Sequence, residues 1–224
     1  MQRLHVLRAI SVVLAAALYL CAQDQATPAK DARPSEGQGL PPRAAPTDYQ
    51  SQAKAGEVTI AAEFDGHNVP TEEQTLTTED YVVVEAALFG PPGAHVEISR
   101  DDFSLRVNGK KLPLPSQSYV VVFSSLKDPT WVSPDVQKEK ESKTSIGTGG
   151  NQDSSNLPKI VHVPIELQRA MQLHTQKAAL PLGDRPLPQA GLLFFQYRGK
   201  EKGINSLELI YSGAAGKATL VLQR

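Results

Sequence analysis

Residues 81–89 have the sequence YVVVEAALF, a nearly continuous run of β-branched, aliphatic and aromatic side chains. These side chains favour a strand, and a near-continuous apolar run is typical of a strand that is covered on both faces. The GPPG of residues 90–93 ends the run. We therefore expect residues 81–89 to form a central strand, around which the rest of the domain is organised.

Further strands are predicted on both sides of this run, from alternating or short apolar segments. Asn108-Gly109 predicts a type I′ hairpin after residue 107, because both central positions need positive φ, and Pro113 limits the returning arm to a short or edge strand. Strands dominate without a βαβ rhythm, so we expect an all-β fold, an antiparallel sandwich. The additional strands are predicted at 58–64, 95–98, 103–107, 119–123, 160–163, 192–197, 207–211 and 218–222.

Residues 164–179 are the helix candidate of the domain. Pro164 suits a first helical turn and Pro181 stops the run. One face of this helix carries its apolar side chains together with a histidine: Leu167, Ala170, Met171, His174 and Ala178. The helix either packs on the rim of the sheet or docks a partner.

The N-terminus has the organisation of a secretory signal peptide at residues 1–22. Arg3 and Arg8 precede an apolar run of about 14 residues, which is shorter than the ~20 that span a bilayer. We expect cleavage after Ala22 and an extracytoplasmic protein, periplasmic or secreted. An uncleaved signal acting as a membrane anchor and a lipidated Cys21 are the alternatives.

Cys21 is the single cysteine of the chain and would leave with the signal peptide. The mature protein would then lack disulfides, thiol catalysis and cysteine-based zinc sites. Its fold would rest on buried apolar area, which the ~170 residues of the expected domain make feasible.

Two segments are expected to be disordered. Residues 23–55 are rich in Pro, Ala and Gln and predict a linker, because they bury too little apolar surface to offset the loss of chain entropy. Residues 133–158 are charged and then rich in Gly and Ser, and they predict a long disordered loop. The folded domain is accordingly expected at 56–224.

The charge balance makes nucleic acid an unlikely class of partner. The chain has 23 Lys and Arg against 24 Asp and Glu, with no basic stripe in the sequence.

Two blocks of the sequence carry a family resemblance. Residues 81–114, YVVVEAALFGPPGAHVEISRDDFSLRVNGKKLPL, combine a core strand, a turn, an Asp-Phe-x-Leu strand and an Asn-Gly hairpin. Residues 188–213, PQAGLLFFQYRGKEKGINSLELIYSG, add an aliphatic-aromatic strand and a Leu-x-Leu-x-Tyr strand. Together they resemble the immunoglobulin-like (telokin-like) domains of exported bacterial proteins of unknown function. The resemblance covers roughly 58–124 and 186–224, and it implies a β-sandwich and an exported setting without catalytic residues.

No catalytic or metal-binding constellation is expected. The four histidines outside the signal peptide, His67, His95, His162 and His174, do not form a His-Glu-x-x-His motif, and a zinc site at His162 and His174 would need a third ligand. We therefore expect neither a cofactor nor a metal.

Ser124 and Lys127 have the Ser-x-x-Lys spacing of serine acyl-transfer enzymes. Asp128-Pro129 opposes the helix that this spacing needs. A serine hydrolase using these two residues is therefore an alternative function.

The favoured function is a non-enzymatic, exported binding or envelope-assembly module. Its partner is an unknown protein or envelope component, and a membrane only if the signal peptide is retained. Trp131, the single tryptophan, either plugs one end of the domain or anchors a contact, since Trp is enriched at binding hot spots. The expected contact residues are Trp131, Met171 and His174. A membrane-tethered structural spacer is the remaining alternative.

Overall fold

A computed structural model describes residues 37–132 and 163–224, and strands dominate these residues. They include two α-helices, α1 (Tyr119–Val122) and α2 (Ile165–Ala178), and short 3-10 turns. The strands are β1 (Ser51–Ala55), β2 (Val58–Gly66), β3 (Asn68–Pro70), β4 (Thr75–Thr78), β5 (Tyr81–Phe89), β6 (His95–Ile98), β7 (Phe103–Val107), β8 (Leu114–Gln117), β9 (Leu126–Lys127), β10 (Gly183–Pro186), β11 (Gln189–Gln196), β12 (Leu207–Gly213) and β13 (Gly216–Leu222).

Eight strands form one antiparallel, barrel-like sheet in the order β1-β2-β5-β11-β8-β7-β12-β13. The two ends of this order, β1 and β13, lie side by side. At this seam the Gln50 side chain donates to the Gln223 carbonyl (2.8 Å) and accepts from the Gln223 N–H (3.0 Å). The all-β, antiparallel class is thus confirmed, whereas the immunoglobulin-like arrangement of two packed sheets is not.

The central strand was predicted correctly. Val82, Val84, Ala86 and Leu88 point into the main core, which the inner faces of the barrel strands fill. The alternate residues face outward and are also buried, from Tyr81 to Ala87. Both faces of β5 are therefore covered, which is why its sequence lacks polar alternation.

The outer face of β5 and β11 is covered by a second layer. α2, α1 and the small sheet β3-β4-β9 pack there around a cluster that includes Val83, Met171 and Phe194. The helix predicted at 164–179 is present as α2. It buries Met171, Thr175 and Ala178 on the side that faces the sheet.

The predicted linker boundary at residue 55 is wrong for residues 37–55. Residues 37–50, here called the strap, cross the outer face of the barrel and lead into β1. Leu40 bridges to Ala190 of β11, and the Gly39 N–H donates to the Ala179 carbonyl (3.2 Å). The strap has few aliphatic residues and is held instead by backbone hydrogen bonds and by Tyr49, which packs on Phe89. The low apolar content that suggested disorder was misleading for this reason.

The strand predicted at 119–123 is also wrong. The segment forms α1, in which the Ser118 hydroxyl caps the N-terminus and accepts from the Val120 N–H (3.4 Å). Tyr119 and Val122 are buried at helical spacing, while Val120 and Val121 are exposed. Burial on one helical face outweighs the β propensity of the three valines.

The Asn-Gly turn was predicted correctly. Asn108 and Gly109 have φ values of 55° and 63°, and the Lys110 N–H donates to the Val107 carbonyl (3.2 Å). The returning strand, β8, begins later than a tight hairpin would allow, because Leu105 pairs with Leu114. Four predictions fall outside the described residues: the signal peptide 1–22, the linker up to residue 36, the loop 133–158 and the strand segment 160–162.

Candidate functional site

Two recesses of the described residues lie between α2 and the segment that runs from α1 to Trp131. Two adjoining cavities of about 460 and 280 Å³ share Leu126, Val163 and Met171 as lining residues. Trp131 borders the smaller cavity and Phe123 the larger one. We call this surface the α2 groove.

The local sequence sets the position of Trp131. Asp128-Pro129-Thr130-Trp131 forms a turn in which the Trp131 N–H donates to the Asp128 carbonyl (3.2 Å). The Asp128 carboxylate accepts from the Thr130 N–H (2.8 Å) and hydroxyl (2.6 Å). Asp in the first position and Pro in the second are the residues that such a turn prefers. The indole is consequently held at the rim of the groove, partly exposed to solvent.

The floor of the groove belongs to the outer core. Met171 is 4% exposed and Leu126 is 9% exposed, and both pack in the cluster that covers β5 and β11. Leu167 and Val163 are partly buried against the same cluster. The groove therefore has a buried apolar floor and is mainly apolar beside Trp131, where it suits an apolar group, while Ser124, Gln168 and Gln172 add polar lining to the larger cavity.

A buried hydrogen-bond chain fixes the wall opposite α2. The hydroxyls of Thr78 on β4 and Ser125 lie 2.6 Å apart, and the Ser125 hydroxyl also donates to the Val122 carbonyl (2.9 Å). Because Thr78 is 1% exposed, this contact ties the α1 segment firmly to the small sheet. The wall is preorganised by these bonds.

Ser124 and Lys127 do not form a dyad. The Ser124 hydroxyl donates to the Val121 carbonyl (3.4 Å), and the Lys127 ammonium pairs with the Glu79 carboxylate (2.5 Å). Ser124 lies in a 3-10 turn and Lys127 on β9. The helix that would place both side chains on one face is not formed, so the hydrolase alternative lacks its geometric basis here.

The three predicted contact residues do not share one surface. Trp131 and Met171 meet at the α2 groove, Trp131 at the rim and Met171 in the floor. His174 faces a separate recess of about 80 Å³, where it lies 3.8 Å from the Glu73 carboxylate. Sequence periodicity missed Leu126 and Val163, because their role depends on chain segments that only the fold brings together.

The described histidines are dispersed. His67 is bonded to backbone carbonyls, His95 lies 3.6 Å from Asp184, and His162 falls outside the described residues. Within residues 37–132 and 163–224, no group of three or more His, Asp or Glu side chains is arranged to hold a metal ion.

A group of charged side chains lies under the strap, apart from the α2 groove. Glu63 on β2 and Glu85 on β5 are direct cross-strand partners, and Asp65 follows at a β-bulge. We call these three residues the carboxylate cluster. Arg43 of the strap pairs with both Glu63 and Glu85, the latter at 3.0 Å, and stacks over the Tyr49 ring at 4.4 Å. Like charges directly opposite each other repel, so Arg43 stabilises this pairing of the strands.

Burial, together with the two neighbouring glutamates, alters the pKa of Asp65. Loss of hydration on burial, followed by the charges of Glu85 and Glu63, raises the pKa of Asp65 to about 7. Its Oδ2 atom is buried and accepts no hydrogen bond from the described residues. Neither the cluster nor Arg43 was predicted as a site, since nothing in the sequence indicates that the strap crosses β2 and β5.

Comparisons with known proteins give no family for the chain. No protein-family model matches it, and neither does any curated protein or solved structure. In the two described parts of the chain, we find no helix long and apolar enough to cross a membrane.

Proposed function

We propose that the chain is an exported, non-catalytic binding or envelope-assembly module, and that its α2 groove receives an apolar segment of a partner polypeptide. The observation that carries this proposal is the placement of Trp131, partly exposed, beside a buried apolar floor. Large aromatic side chains at the edge of apolar pockets are typical anchors of protein interfaces.

The surroundings of the groove support a protein partner. Val121, Val132 and Ile165, on the elements that flank it, are exposed to between 43% and 55%. Apolar residues that gather around a recess favour a contact surface, whereas single exposed ones need no explanation. Neither wall carries a nucleophile paired with a base among the described residues.

Location and family belong to the same proposal. The extracytoplasmic setting rests on the signal peptide predicted at residues 1–22 and on the resemblance of two sequence blocks to immunoglobulin-like domains. A partner that is a protein of the envelope fits both. The balanced charge of the chain supports a protein partner over nucleic acid.

Site-specific photocrosslinking in the native envelope tests the groove. A photoreactive phenylalanine analogue replaces Trp131 or Gln168, which lie on opposite sides of the groove, and Val221 serves as the control. Val221 is 67% exposed on β13, on the barrel itself. We expect the same polypeptide adduct from positions 131 and 168 and none from position 221.

Equal yields at the three positions, or no adduct from either groove position, would contradict the proposal. Circular dichroism of each variant checks that the fold is kept. Mass spectrometry of the same samples determines the mature N-terminus, which tests cleavage after Ala22 independently of the groove.

A further inference from the structure

Two loops are joined at one end of the barrel by a single asparagine. The Asn108 side chain donates to the Gly203 carbonyl (2.8 Å) and accepts from the Asn205 N–H (2.6 Å) and the Ser206 N–H (3.2 Å). The Asn108 backbone N–H donates to the Ser206 carbonyl (2.9 Å). The loop after β7 and the loop before β12 therefore form one surface.

This surface collects positive charge, and we call it the basic end. Lys110 and Lys111 follow the Asn-Gly turn, and Lys200 and Lys202 lie on the second loop; all four are exposed. The Arg224 guanidinium joins them, because its Nη1 atom donates to the Lys202 and Ile204 carbonyls (3.3 Å each). Five cations thus gather at one end of a chain whose net charge is −1.

The acidic side chains nearby offset only part of this charge. Asp80 is paired with Arg198 at 3.0 Å and Glu208 with Arg106 at 2.7 Å, so these acids balance other cations. None of the four lysines forms an ion pair with a described residue. Glu201 is the acid within the second loop, and its carboxylate accepts from the His67 N–H (2.9 Å).

The second loop is held against β5 by His67. The His67 ring lies with Nε2 3.0 Å from the Gly199 carbonyl and Nδ1 2.6 Å from the Tyr81 carbonyl. The same ring stacks on Tyr197. A charged surface that is fixed before it meets its ligand loses little conformational entropy on binding.

An exposed apolar side chain adjoins this surface. Leu112 follows Lys111 directly and is 81% exposed, more than any other large apolar side chain in the described residues. An exposed leucine gains free energy when it leaves water, at about 25 cal/mol for each Å² that is buried. Lysines next to an exposed apolar residue are the combination that favours the interface of an anionic bilayer.

We propose that the basic end binds the surface of an anionic phospholipid bilayer, with the lysines on the phosphates and Leu112 in the interface. Cations alone would equally suit an acidic glycan or nucleic acid, but neither offers an apolar layer for Leu112. This contact is independent of the proposed α2 groove, and it would orient the groove relative to the membrane.

Vesicle co-sedimentation of the full chain tests the proposal. Vesicles of phosphatidylcholine are compared with vesicles containing 30% phosphatidylglycerol, a composition chosen for the assay and prepared at about 0.1 M salt. Any contribution of the N-terminal segment is common to all variants. We expect the wild-type chain to prefer the anionic vesicles, and the preference to fall at high salt.

Three variants identify the surface. Since each lysine near an anionic surface contributes about 1 kcal/mol, the double change Lys110→Gln and Lys111→Gln should lower partitioning onto anionic vesicles about 10- to 30-fold. Leu112→Ser should lower it about threefold or more. The matched control is the double change Lys54→Gln and Lys217→Gln, which removes two exposed lysines from β1 and β13 and should leave partitioning unchanged.

Two outcomes would overturn the proposal. In the first, the Lys110 and Lys111 variant binds like the Lys54 and Lys217 control. In the second, Leu112→Ser has no effect while the basic end binds a DNA oligonucleotide or dextran sulfate as tightly as the vesicles. The second result would identify a general polyanion surface instead of a membrane contact.

Discussion

Replacing Asp65 with Asn should make the folded protein more stable at neutral and alkaline pH, and not at acidic pH. The pKa of Asp65 is raised to about 7 from an ordinary value of 3.8, chiefly by burial and then by the charges of Glu85 and Glu63. Between these two pH values the folded protein binds the Asp65 proton more tightly than the unfolded chain does. The free energy of unfolding therefore falls as the pH rises through this range.

The size of the effect follows from the shift. About three pKa units at 1.36 kcal/mol each give a ceiling of ~4 kcal/mol, all of it lost above about pH 7. Asp65 is only half-buried as a residue, although its Oδ2 atom is fully buried, and solvent screening lowers the ceiling. We expect Asp65→Asn to raise the free energy of unfolding by about 2–3 kcal/mol at pH 8 and by less than ~0.5 kcal/mol at pH 4.

Urea unfolding followed by far-UV circular dichroism at several pH values between 4 and 8 measures this difference. Groups that do not interact with Asp65 contribute equally to both proteins, so their contributions cancel when the variant is subtracted from the wild type. Glu57→Gln, which removes an exposed carboxylate on the turn after β1, is the matched control. A difference between Asp65→Asn and the wild type that stays constant across this pH range would refute the reasoning.

Two further stability predictions concern the strap and the sheet. Arg43→Met leaves the carboxylate cluster without its cation, so the free energy of unfolding at pH 7 should fall by about 2 kcal/mol or more. The control Lys127→Met removes one partner of an exposed ion pair and should cost less than ~1 kcal/mol. Equal losses for the two variants in urea titrations would contradict a stabilising role of Arg43 at the cluster. Gly191→Ala places a Cβ atom 2.5 Å from the backbone of Leu180, whereas the nearest atom to a Cβ at Gly203 is 3.7 Å away. The thermal midpoint should therefore drop strongly for Gly191→Ala, with a loss of about 2 kcal/mol, and barely change for Gly203→Ala, and similar midpoints would contradict the close approach.

The strands that could be predicted from the sequence are those whose own side chains fill the core. YVVVEAALF at 81–89 forms β5 because its alternate residues enter two different apolar clusters. YVVVF at 119–123 has nearly the same composition and is helical, because only Tyr119 and Val122 find buried positions and Ser118 caps the turn. Composition alone could not separate these two cases, since the difference arises from which neighbours the fold provides.

The parts that were missed depend on contacts between distant segments. β1 has the sequence SQAKA and buries only Ala55 fully, so its pairing with β2 stabilises it more than its own burial does. The sequence drew attention to Trp131, a lone tryptophan between prolines, as a plug of the domain or a contact residue, but it did not predict the α2 groove. Its floor could not be predicted, because Leu126 and Met171 are far apart in the sequence and only the fold brings them together.

The seam between β1 and β13 has a consequence for how copies of this protein behave at high concentration. An open sheet would present two rows of unpaired backbone groups, and such edges add strands from other molecules and seed aggregates. Here the two edge strands, β1 and β13, lie beside each other, and the Gln50 side-chain amide is hydrogen-bonded to both the N–H and the carbonyl of Gln223. No backbone ladder joins β1 to β13, but their proximity leaves less room for a strand from another molecule to pair along either of these two edges.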